Sequence, residues 1–203
     1  MNQKPFTLLS VAGKRREDFP ISSWIVVTID AQEEYRSGLL ALENITSAIA
    51  EGCRVLAQAR ALGIPIVHIA HKAPVGAKTF AQDSPMSEIF PEYQVQADES
   101  IIAKTLPNAF AGTNHLETIR ATGRTHLILF GFMTHMCVST TARAALDHGL
   151  LSTVVANACG TRDLLTHDGS AISAKEVHRV ALAEIADRFG FVVTDSNQLF
   201  DGV

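Results

Sequence analysis

Short apolar runs rich in β-branched residues alternate along this chain with longer amphipathic segments. Each run is too short to form a helix, whereas the segments between them carry apolar residues at helical spacing. The runs are therefore predicted as strands at 24–29, 64–70, 100–104, 126–130, 152–156 and 191–194. Helices are predicted at 44–62, at 113–122, from about 138 to the glycine at 149, and at 171–189. This alternation indicates a three-layer α/β fold with a parallel sheet and right-handed crossovers.

Composition and charge restrict the class of protein. The 203 residues are 47% hydrophobic, which is enough for one globular domain over residues 1–203, with 1–22 as an N-terminal arm. The formal net charge of −4 gives no electrostatic reason to expect a nucleic acid or a membrane surface as a partner. Three cysteines are too few for a disulfide framework, and no apolar run reaches membrane-spanning length. We therefore expect a cytoplasmic protein.

One cysteine, Cys137, lies between a predicted strand and the first turn of the next predicted helix. Gly131 ends the strand, and good helix formers follow Cys137 as far as Gly149, which ends the helix. A helix N-terminus carries exposed N–H groups and partial positive charge, so it favours a thiolate near neutral pH. A free cysteine is also commonly a small buried apolar residue. Position alone leaves both interpretations open.

Three chemically complementary side chains follow predicted strands. Asp30 and Lys104 each stand at the end of a strand, and Cys137 follows a third. Ligands of open α/β sheets bind beyond the carboxyl ends of the strands, so the three side chains are expected at one edge of the sheet. A carboxylate can accept the thiol proton, and a nearby ammonium stabilises the thiolate. We predict that Asp30 and Lys104 lie within a few ångströms of the Cys137 sulfur.

The motifs around these residues resemble those of the isochorismatase-like cysteine hydrolase superfamily, which includes nicotinamidases and N-carbamoyl amidohydrolases. Three motifs occur in the family's order: D-x-Q followed by an aromatic residue (Asp30, Gln32, Tyr35), a strand-end lysine followed by N-A-F-A-G-T (Lys104, Asn108 to Thr113), and G-x-x-T-x-x-C-V (Gly131, Thr134, Cys137, Val138). Each motif is weak alone, but together they are specific. The resemblance implies a Rossmann-like sheet of six parallel strands flanked by helices, and a catalytic triad of Cys137, Asp30 and Lys104.

The resemblance also implies nucleophilic acyl transfer on a small amide or N-carbamoyl substrate. Asp30 would deprotonate Cys137, and the thiolate would attack the carbonyl carbon and form a thioester. Asp30 would then protonate the leaving amine and activate water. Family members have a cis peptide bond in the G-x-x-T turn, here between Phe132 and Met133. The backbone N–H groups of Met133 and Cys137 would form the oxyanion hole.

A further set of residues is predicted to contact the substrate. The resemblance gives this role to residues within the motifs, namely Gln32, Tyr35, Phe110, Phe132 and Thr134. His71 and His135 are added because of their positions, although His135 is equally interpreted as a hydrogen-bonding support of the site. The irregular, proline-punctuated segment 71–98 is predicted to be a lid or substrate loop.

No metal or other cofactor is expected. Nicotinamidases hold a metal through an Asp-x-His element and a second histidine, and this sequence has no Asp-x-His. His68 and His71 are three residues apart on a predicted strand, so their side chains should point to opposite faces and are poor joint ligands. Nicotinamide is therefore disfavoured as a substrate. No glycine-rich dinucleotide or phosphate motif occurs.

Two other classes of function stay open. Isochorismatases hydrolyse a vinyl ether on the same fold, generally without a cysteine nucleophile, so Cys137 argues against that reaction. A redox sensor would need a second thiol near Cys137, and the sequence does not say whether Cys53 or Cys159 approaches it. We interpret both cysteines as packing residues and His178 as structural or interfacial. The expected partners are a small-molecule substrate and further copies of the chain in a homo-oligomer, with no nucleic acid and no membrane.

Overall fold

Eight strands occur in the computed structural model, which describes residues 6–202. They are β1 (Trp24–Ile29), β2 (Ile66–His71), β3 (Ser100–Lys104), β4 (His126–Phe132), β5 (Leu151–Gly160), β6 (Leu164–Leu165), β7 (Ala171–Ile172) and β8 (Gly190–Val193). Six of them form one parallel sheet in the order β3-β2-β1-β4-β5-β8, while β6 and β7 form a small antiparallel hairpin. The strand order reverses between β1 and β4, which is where doubly wound sheets bind their ligands. The predicted six-stranded parallel sheet is confirmed.

Helices flank this sheet and complete the predicted three-layer α/β arrangement. They are α1 (Leu8–Val11), α2 (Glu34–Ser37), α3 (Ile45–Ala61), α4 (His115–Ala121), α5 (Ser139–Asp147), α6 (Ala174–Glu184) and α7 (Ser196–Leu199). The chain enters α5 through a wide helical turn, Thr134–Val138, and leaves α6 through a second one, Ile185–Phe189. Among residues 6–202, no helix has the length and apolar character needed to cross a membrane.

The central pair of strands, β1 and β4, is buried along its whole length. Burial on both faces explains why these segments are almost continuously apolar rather than alternating. At the carboxyl end of the pair, Gly131 has a φ of 129°. A Cβ atom on Gly131 would lie 2.0 Å from the Ile29 carbonyl oxygen, so only glycine allows the two backbones to approach this closely.

Several predicted boundaries are wrong; β2 begins at Ile66 rather than 64, and β4 ends at Phe132 rather than 130. The strand predicted at 152–156 continues to Gly160 as β5. The last long helix begins at Ala174 rather than 171, because Ser173 and Glu176 form a capping box and the two residues before it belong to β7. The helix predicted from 113 begins at His115 as α4, with Asn114 as its N-cap, and the Thr113 hydroxyl donates to the Ala109 carbonyl.

The predicted N-terminal arm, 1–22, contributes to the core. Its first five residues lie outside the described part of the chain, as does Val203. Within the remainder, Leu9 is buried, and the Phe19 ring stacks on the buried His126 ring at a centroid distance of 4.4 Å. The arm therefore covers part of the sheet rather than lying free on the surface.

The predicted lid segment, 71–98, is anchored to the polypeptide next to β1. The Phe90 N–H donates to the Ala31 carbonyl, and the Glu33 N–H donates to the Glu88 carbonyl. Phe90 and Tyr93 are buried in the core. The segment thus covers the carboxyl edge of the sheet near β1 and β2.

Candidate active site

Three charged or nucleophilic side chains meet at the carboxyl ends of β1, β3 and β4. Lys104 Nζ donates to Asp30 Oδ2 at 2.7 Å and to Cys137 Sγ at 3.4 Å. Asp30, Lys104 and Cys137 are only 1%, 2% and 6% exposed. The structure therefore brings together the acid, the amine and the thiol that the sequence analysis singled out.

One oxygen of Asp30 is held by Lys104 and the other is not. Asp30 Oδ1 is buried and has no hydrogen-bond partner among residues 6–202. A buried acceptor without a donor is costly, and such groups mark functional sites. Asp30 also has a φ of 47°, in the left-handed region that aspartate tolerates better than most residues. The carboxylate thus has one oxygen available for a proton.

Burial dominates the acid–base properties of the site. It raises the pKa of the Asp30 carboxyl, and the Lys104 ammonium opposes that rise. It also raises the pKa of the Cys137 thiol to about 12; the negative charge of Asp30 adds to this effect and Lys104 opposes it. Burial and the positive charge of Lys104 lower the pKa of His71 to about 4. At neutral pH the site therefore holds a protonated thiol and a neutral imidazole.

Burial opposes the resting thiolate that a helix N-terminus would favour at Cys137. The sequence argument rested on the helix N-terminus, whose effect is about 0.3–1 kcal/mol at exposed sites. The thiol pKa rises from 9.0 to about 12, which corresponds to about 4 kcal/mol against the thiolate. The cost of desolvating the thiolate exceeds its stabilisation by the helix N-terminus. Cys137 would therefore need a base to act as a nucleophile.

The turn from Met133 to Val138, which we call the nucleophile turn after its candidate nucleophile Cys137, has the backbone that its motif predicts. The peptide bond between Phe132 and Met133 is cis. The Met133 carbonyl accepts from the N–H groups of Met136 and Val138, at 3.0 and 3.3 Å. The use of the Met133 and Cys137 N–H groups as an oxyanion hole stays a prediction.

The Gln32 side chain connects the end of β1 to the end of β2 and to segment 71–98 through hydrogen bonds. Its amide nitrogen donates to the carbonyls of His71 and Ser87 at 2.8 and 2.7 Å, and its amide oxygen accepts from the His71 N–H at 2.8 Å. Both amide hydrogens are therefore engaged, and the residue is fully buried. These contacts fit a positioning role better than the predicted contact with substrate.

An aromatic cluster covers the site on the side of segment 71–98. Tyr35 packs against Phe80 and Phe132, with ring centroids 5.3 and 5.5 Å apart. Phe80 also meets the His71 ring at 5.1 Å, and His71 Nδ1 lies 3.4 Å from Lys104 Nζ. Burial and the charges of Asp30 and Cys137 raise the pKa of the Tyr35 hydroxyl. Tyr35 and His71 thus lie next to the triad, and the Phe80 ring packs against both of them.

The two histidines of β2 have separate environments. His68 is buried between the Thr28 hydroxyl, 3.0 Å from its Nδ1, and the Glu99 carboxylate, 2.8 Å from its Nε2. His71 faces Lys104 instead. Within residues 6–202, no group of three histidine, cysteine, aspartate or glutamate side chains is arranged to hold a metal ion.

The other predicted substrate contacts divide into two groups. Thr134 and His135 lie on the nucleophile turn, but both are engaged: Thr134 with the Gly160 carbonyl and His178, and His135 with Thr161. Phe110 packs against His115 and His148, at the opposite end of α5 from Cys137. The structure therefore places Phe110 away from the triad.

Sequence reasoning missed Arg162, an exposed cation near the site. Its positive charge helps to lower the pKa of His135, after burial, and opposes the rise in the pKa of Tyr35. Arg162 Nη1 donates to the Asp163 carbonyl at 3.2 Å. The prediction ended the preceding strand at 156, but the strand runs to Gly160 and so carries Arg162 to the carboxyl edge of the sheet.

The backbone around Arg162 is fixed on both sides. Thr161 Oγ1 lies 2.6 Å from His135 Nδ1. Asp163 Oδ1 accepts from the Ala174 N–H at 2.7 Å, at the start of α6. Arg162 is therefore an exposed residue on an anchored loop, with its charge near Tyr35 and His135.

Comparisons of sequence and of structure both match this chain to isochorismatase-type proteins. The isochorismatase domain model matches residues 24–197. The secreted isochorismatase effector Isc1 of Verticillium dahliae is 38% identical over 173 residues, covering 85% of this chain and 88% of that protein. The maleamate amidohydrolase of Pseudomonas putida is 26% identical over 166 residues, covering 74% and 72%. A crystal structure of an isochorismatase from Pseudomonas putida KT2440 superposes with a TM-score of 0.87 and 38% identity, covering 94% of this chain and 97% of that one.

Proposed function

The chain belongs to the isochorismatase family of hydrolases, and from this premise we propose that it cleaves the C–N bond of a small amide or N-carbamoyl compound. The reaction would proceed through a thioester on Cys137. The observation that carries the proposal is the position of the Lys104 ammonium, 2.7 Å from Asp30 Oδ2 and 3.4 Å from Cys137 Sγ. This geometry supports the proposal, because it would give the thiol a base and a stabilising cation in a buried site.

In the first half-reaction, Asp30 removes the proton from Cys137 as the sulfur attacks the substrate carbonyl. Asp30 Oδ1 is the proton acceptor, since it is the carboxylate oxygen without a partner among the described residues. Lys104 stabilises the charge on sulfur, and the oxyanion forms towards the N–H groups of Met133 and Cys137. Asp30 then gives its proton to the leaving nitrogen, which departs as ammonia or an amine.

In the second half-reaction, water replaces the departed nitrogen group. Asp30, again ionised, removes a proton from this water as it attacks the thioester carbonyl. The C–S bond breaks, Asp30 returns the proton it took from water to the departing sulfur, and the carboxylic acid, or the carbamic acid from an N-carbamoyl substrate, leaves. The net change is amide plus water to acid plus ammonia or amine.

The charge around the site favours a substrate that carries a carboxylate. Arg162 is exposed on an anchored loop, with its charge near Tyr35 and His135, and its guanidinium can donate two parallel hydrogen bonds to a carboxylate. Monoamides of short dicarboxylic acids and N-carbamoyl amino acids both have the required groups. The name of one relative, maleamate amidohydrolase, is consistent with this class.

Ammonia release and trapping of the acyl-enzyme test the proposal. The purified protein would be offered monoamides of short dicarboxylic acids and N-carbamoyl amino acids. We expect turnover of at least one, an acyl mass on the peptide containing Cys137 after acid quench, and no turnover by Cys137→Ala. Cys159→Ala is the matched control, because Cys159 is also buried with a thiol pKa raised to about 12 but makes no contact with Lys104.

Two outcomes would contradict the proposal. Wild-type turnover by Cys137→Ala would exclude the thioester. Hydrolysis of a vinyl ether, with no amide accepted, would instead assign the isochorismatase reaction.

We propose further that the protein is cytoplasmic and forms a homo-oligomer. All three cysteines are free thiols, as expected in a reducing compartment. Several exposed apolar side chains, among them Leu165, Val180 and Met136, give the surface apolar area that a second copy could cover. Light scattering on the purified protein distinguishes a monomer from an oligomer, and fractionation of the producing cells tests the location.

A further inference from the structure

A hydrogen-bonded chain links α6 to the turn that carries the nucleophile. The Thr134 hydroxyl lies 3.0 Å from the Gly160 carbonyl oxygen and 2.9 Å from His178 Nδ1. Thr134 is fully buried, and it stands between Met133 and Cys137 on the turn. Three elements, the end of β5, the nucleophile turn and α6, therefore meet at one hydroxyl.

The proton count of this chain fixes the tautomer of His178. A threonine hydroxyl has one proton, and a carbonyl oxygen can only accept. Thr134 must therefore donate to Gly160 and accept from His178, which places a proton on His178 Nδ1. His178 acts here as a hydrogen-bond donor to the nucleophile turn.

We propose that His178 is a positioning residue for the amide hydrolysis proposed above. By donating to Thr134 it fixes the direction of the threonine hydroxyl, and with it the path of the backbone through Met133. The Met133 N–H is one of the two expected oxyanion donors, so its direction controls stabilisation of the transition state. His178 hydrogen-bonds to Thr134, not to Cys137, and so acts through the turn; its removal is therefore expected to lower kcat rather than to raise KM.

Two isosteric substitutions separate hydrogen-bond donation from shape. In His178→Asn the amide nitrogen can take the place of Nδ1 and donate to Thr134, whereas the side chain of His178→Asp has the same shape but offers only acceptors. We expect His178→Asn to keep most of the turnover and His178→Asp to lose about 10- to 100-fold in kcat, the range of effect of a displaced catalytic group. Arg179→Gly, an exposed change on the same helix, is the control for general loss of helix stability and should keep the wild-type kcat.

Chemical rescue gives a readout that a purely structural role would not produce. A cavity of about 170 Å³ adjoins His178 and is lined also by Asn44, Ser47 and Asn157. A cavity of about 150 Å³ in another protein admits benzene, so this one has room for imidazole once the side chain is removed. Added imidazole should raise the kcat of His178→Ala and should not raise that of Thr134→Val, which lacks the hydroxyl.

The outcomes distinguish this inference from the proposed function. If wild-type protein hydrolyses no amide, the proposed function fails, and the inference that rests on it fails too. If wild-type protein does hydrolyse an amide, equal kcat values for His178→Asn and His178→Asp overturn the inference alone. Equal rescue of His178→Ala and Thr134→Val by imidazole would overturn it as well.

Discussion

Replacement of Lys104 by methionine tests the electrostatic basis of the site without any substrate. The change keeps the length of the side chain and removes the ammonium that lies 2.7 Å from Asp30 Oδ2. At an effective dielectric constant of about 20, two unit charges at this separation attract by roughly 6 kcal/mol. Burying both ions costs a comparable amount, so the intact pair contributes little net stability, whereas a broken pair leaves an uncompensated buried charge worth about 3–5 kcal/mol.

We therefore expect Lys104→Met to lower the free energy of unfolding by about 3–5 kcal/mol at pH 8. Asp30→Asn in the same chain should restore most of this loss, because it removes the charge that Lys104 no longer balances. Asparagine is the suitable replacement, since the φ of 47° at Asp30 lies in the left-handed region that asparagine tolerates. Both variants should lack hydrolase activity.

The loss should also depend on pH. Without Lys104, the pKa of the Asp30 carboxyl in the folded protein rises further above its unfolded value of about 3.9, because burial is no longer opposed. The folded state then binds more protons than the unfolded state, so stability falls as pH rises from about 4 through the raised pKa. Urea unfolding of wild type, Lys104→Met and the double variant at pH 5 and pH 8 measures all three effects. A Lys104→Met protein as stable as wild type at pH 8, or a double variant less stable than Lys104→Met, would refute the reasoning.

Three other predictions follow from the charges and burial of named residues. Arg162→Gln should reduce kcat/KM about 10- to 100-fold for amides that carry a carboxylate and change it little for their methyl esters, as steady-state kinetics would measure. Cys137 should react slowly with iodoacetamide at pH 7 and about tenfold faster per pH unit towards its pKa of about 12, whereas a fast reaction at neutral pH would contradict the burial argument. Burial lowers the pKa of His115 to about 4, so this histidine stabilises the fold fully above pH 6.5 and progressively less as pH falls towards 4. In urea unfolding, His115→Phe should reduce the slope of stability against pH in that window by about 1.4 kcal/mol per unit, and an unchanged slope would show that the imidazole does not titrate there.

The parallel sheet explains why so much of the site could be predicted from the sequence. Strands such as β1 and β4 are buried on both faces, so they are nearly continuous apolar runs with clear ends. Parallel strands bring their carboxyl ends to one edge, so a residue at a strand end, such as Asp30 or Lys104, can be placed in space from its position in the chain. The meeting of these two residues with Cys137 required no other information.

Misplaced boundaries and tertiary contacts explain what was missed. Arg162 was overlooked because β5 runs four residues beyond its predicted end at 156, to Gly160, and this extension contains Asn157 and Gly160, residue types that are depleted in strands. His178 was interpreted as structural or interfacial because its partner, Thr134, is far away in sequence and reaches it only when α6 packs on the nucleophile turn. The local spacing of apolar residues indicates neither the position of Arg162 nor the hydrogen bond between His178 and Thr134.

The protonation state of Cys137 could not be predicted from position, because it depends on how completely the folded chain excludes water. The same exclusion constrains the proposed reaction. A thiolate formed by loss of the proton to bulk water would add a negative charge to the buried site, and the thiol pKa of about 12 shows that this is unfavourable at neutral pH. Transfer of the proton from Cys137 to Asp30 leaves the total charge of the triad unchanged, with one anion still facing the Lys104 ammonium. Burial therefore opposes a free thiolate but not a thiolate formed together with a protonated Asp30, and this favours deprotonation of the cysteine at the moment of attack.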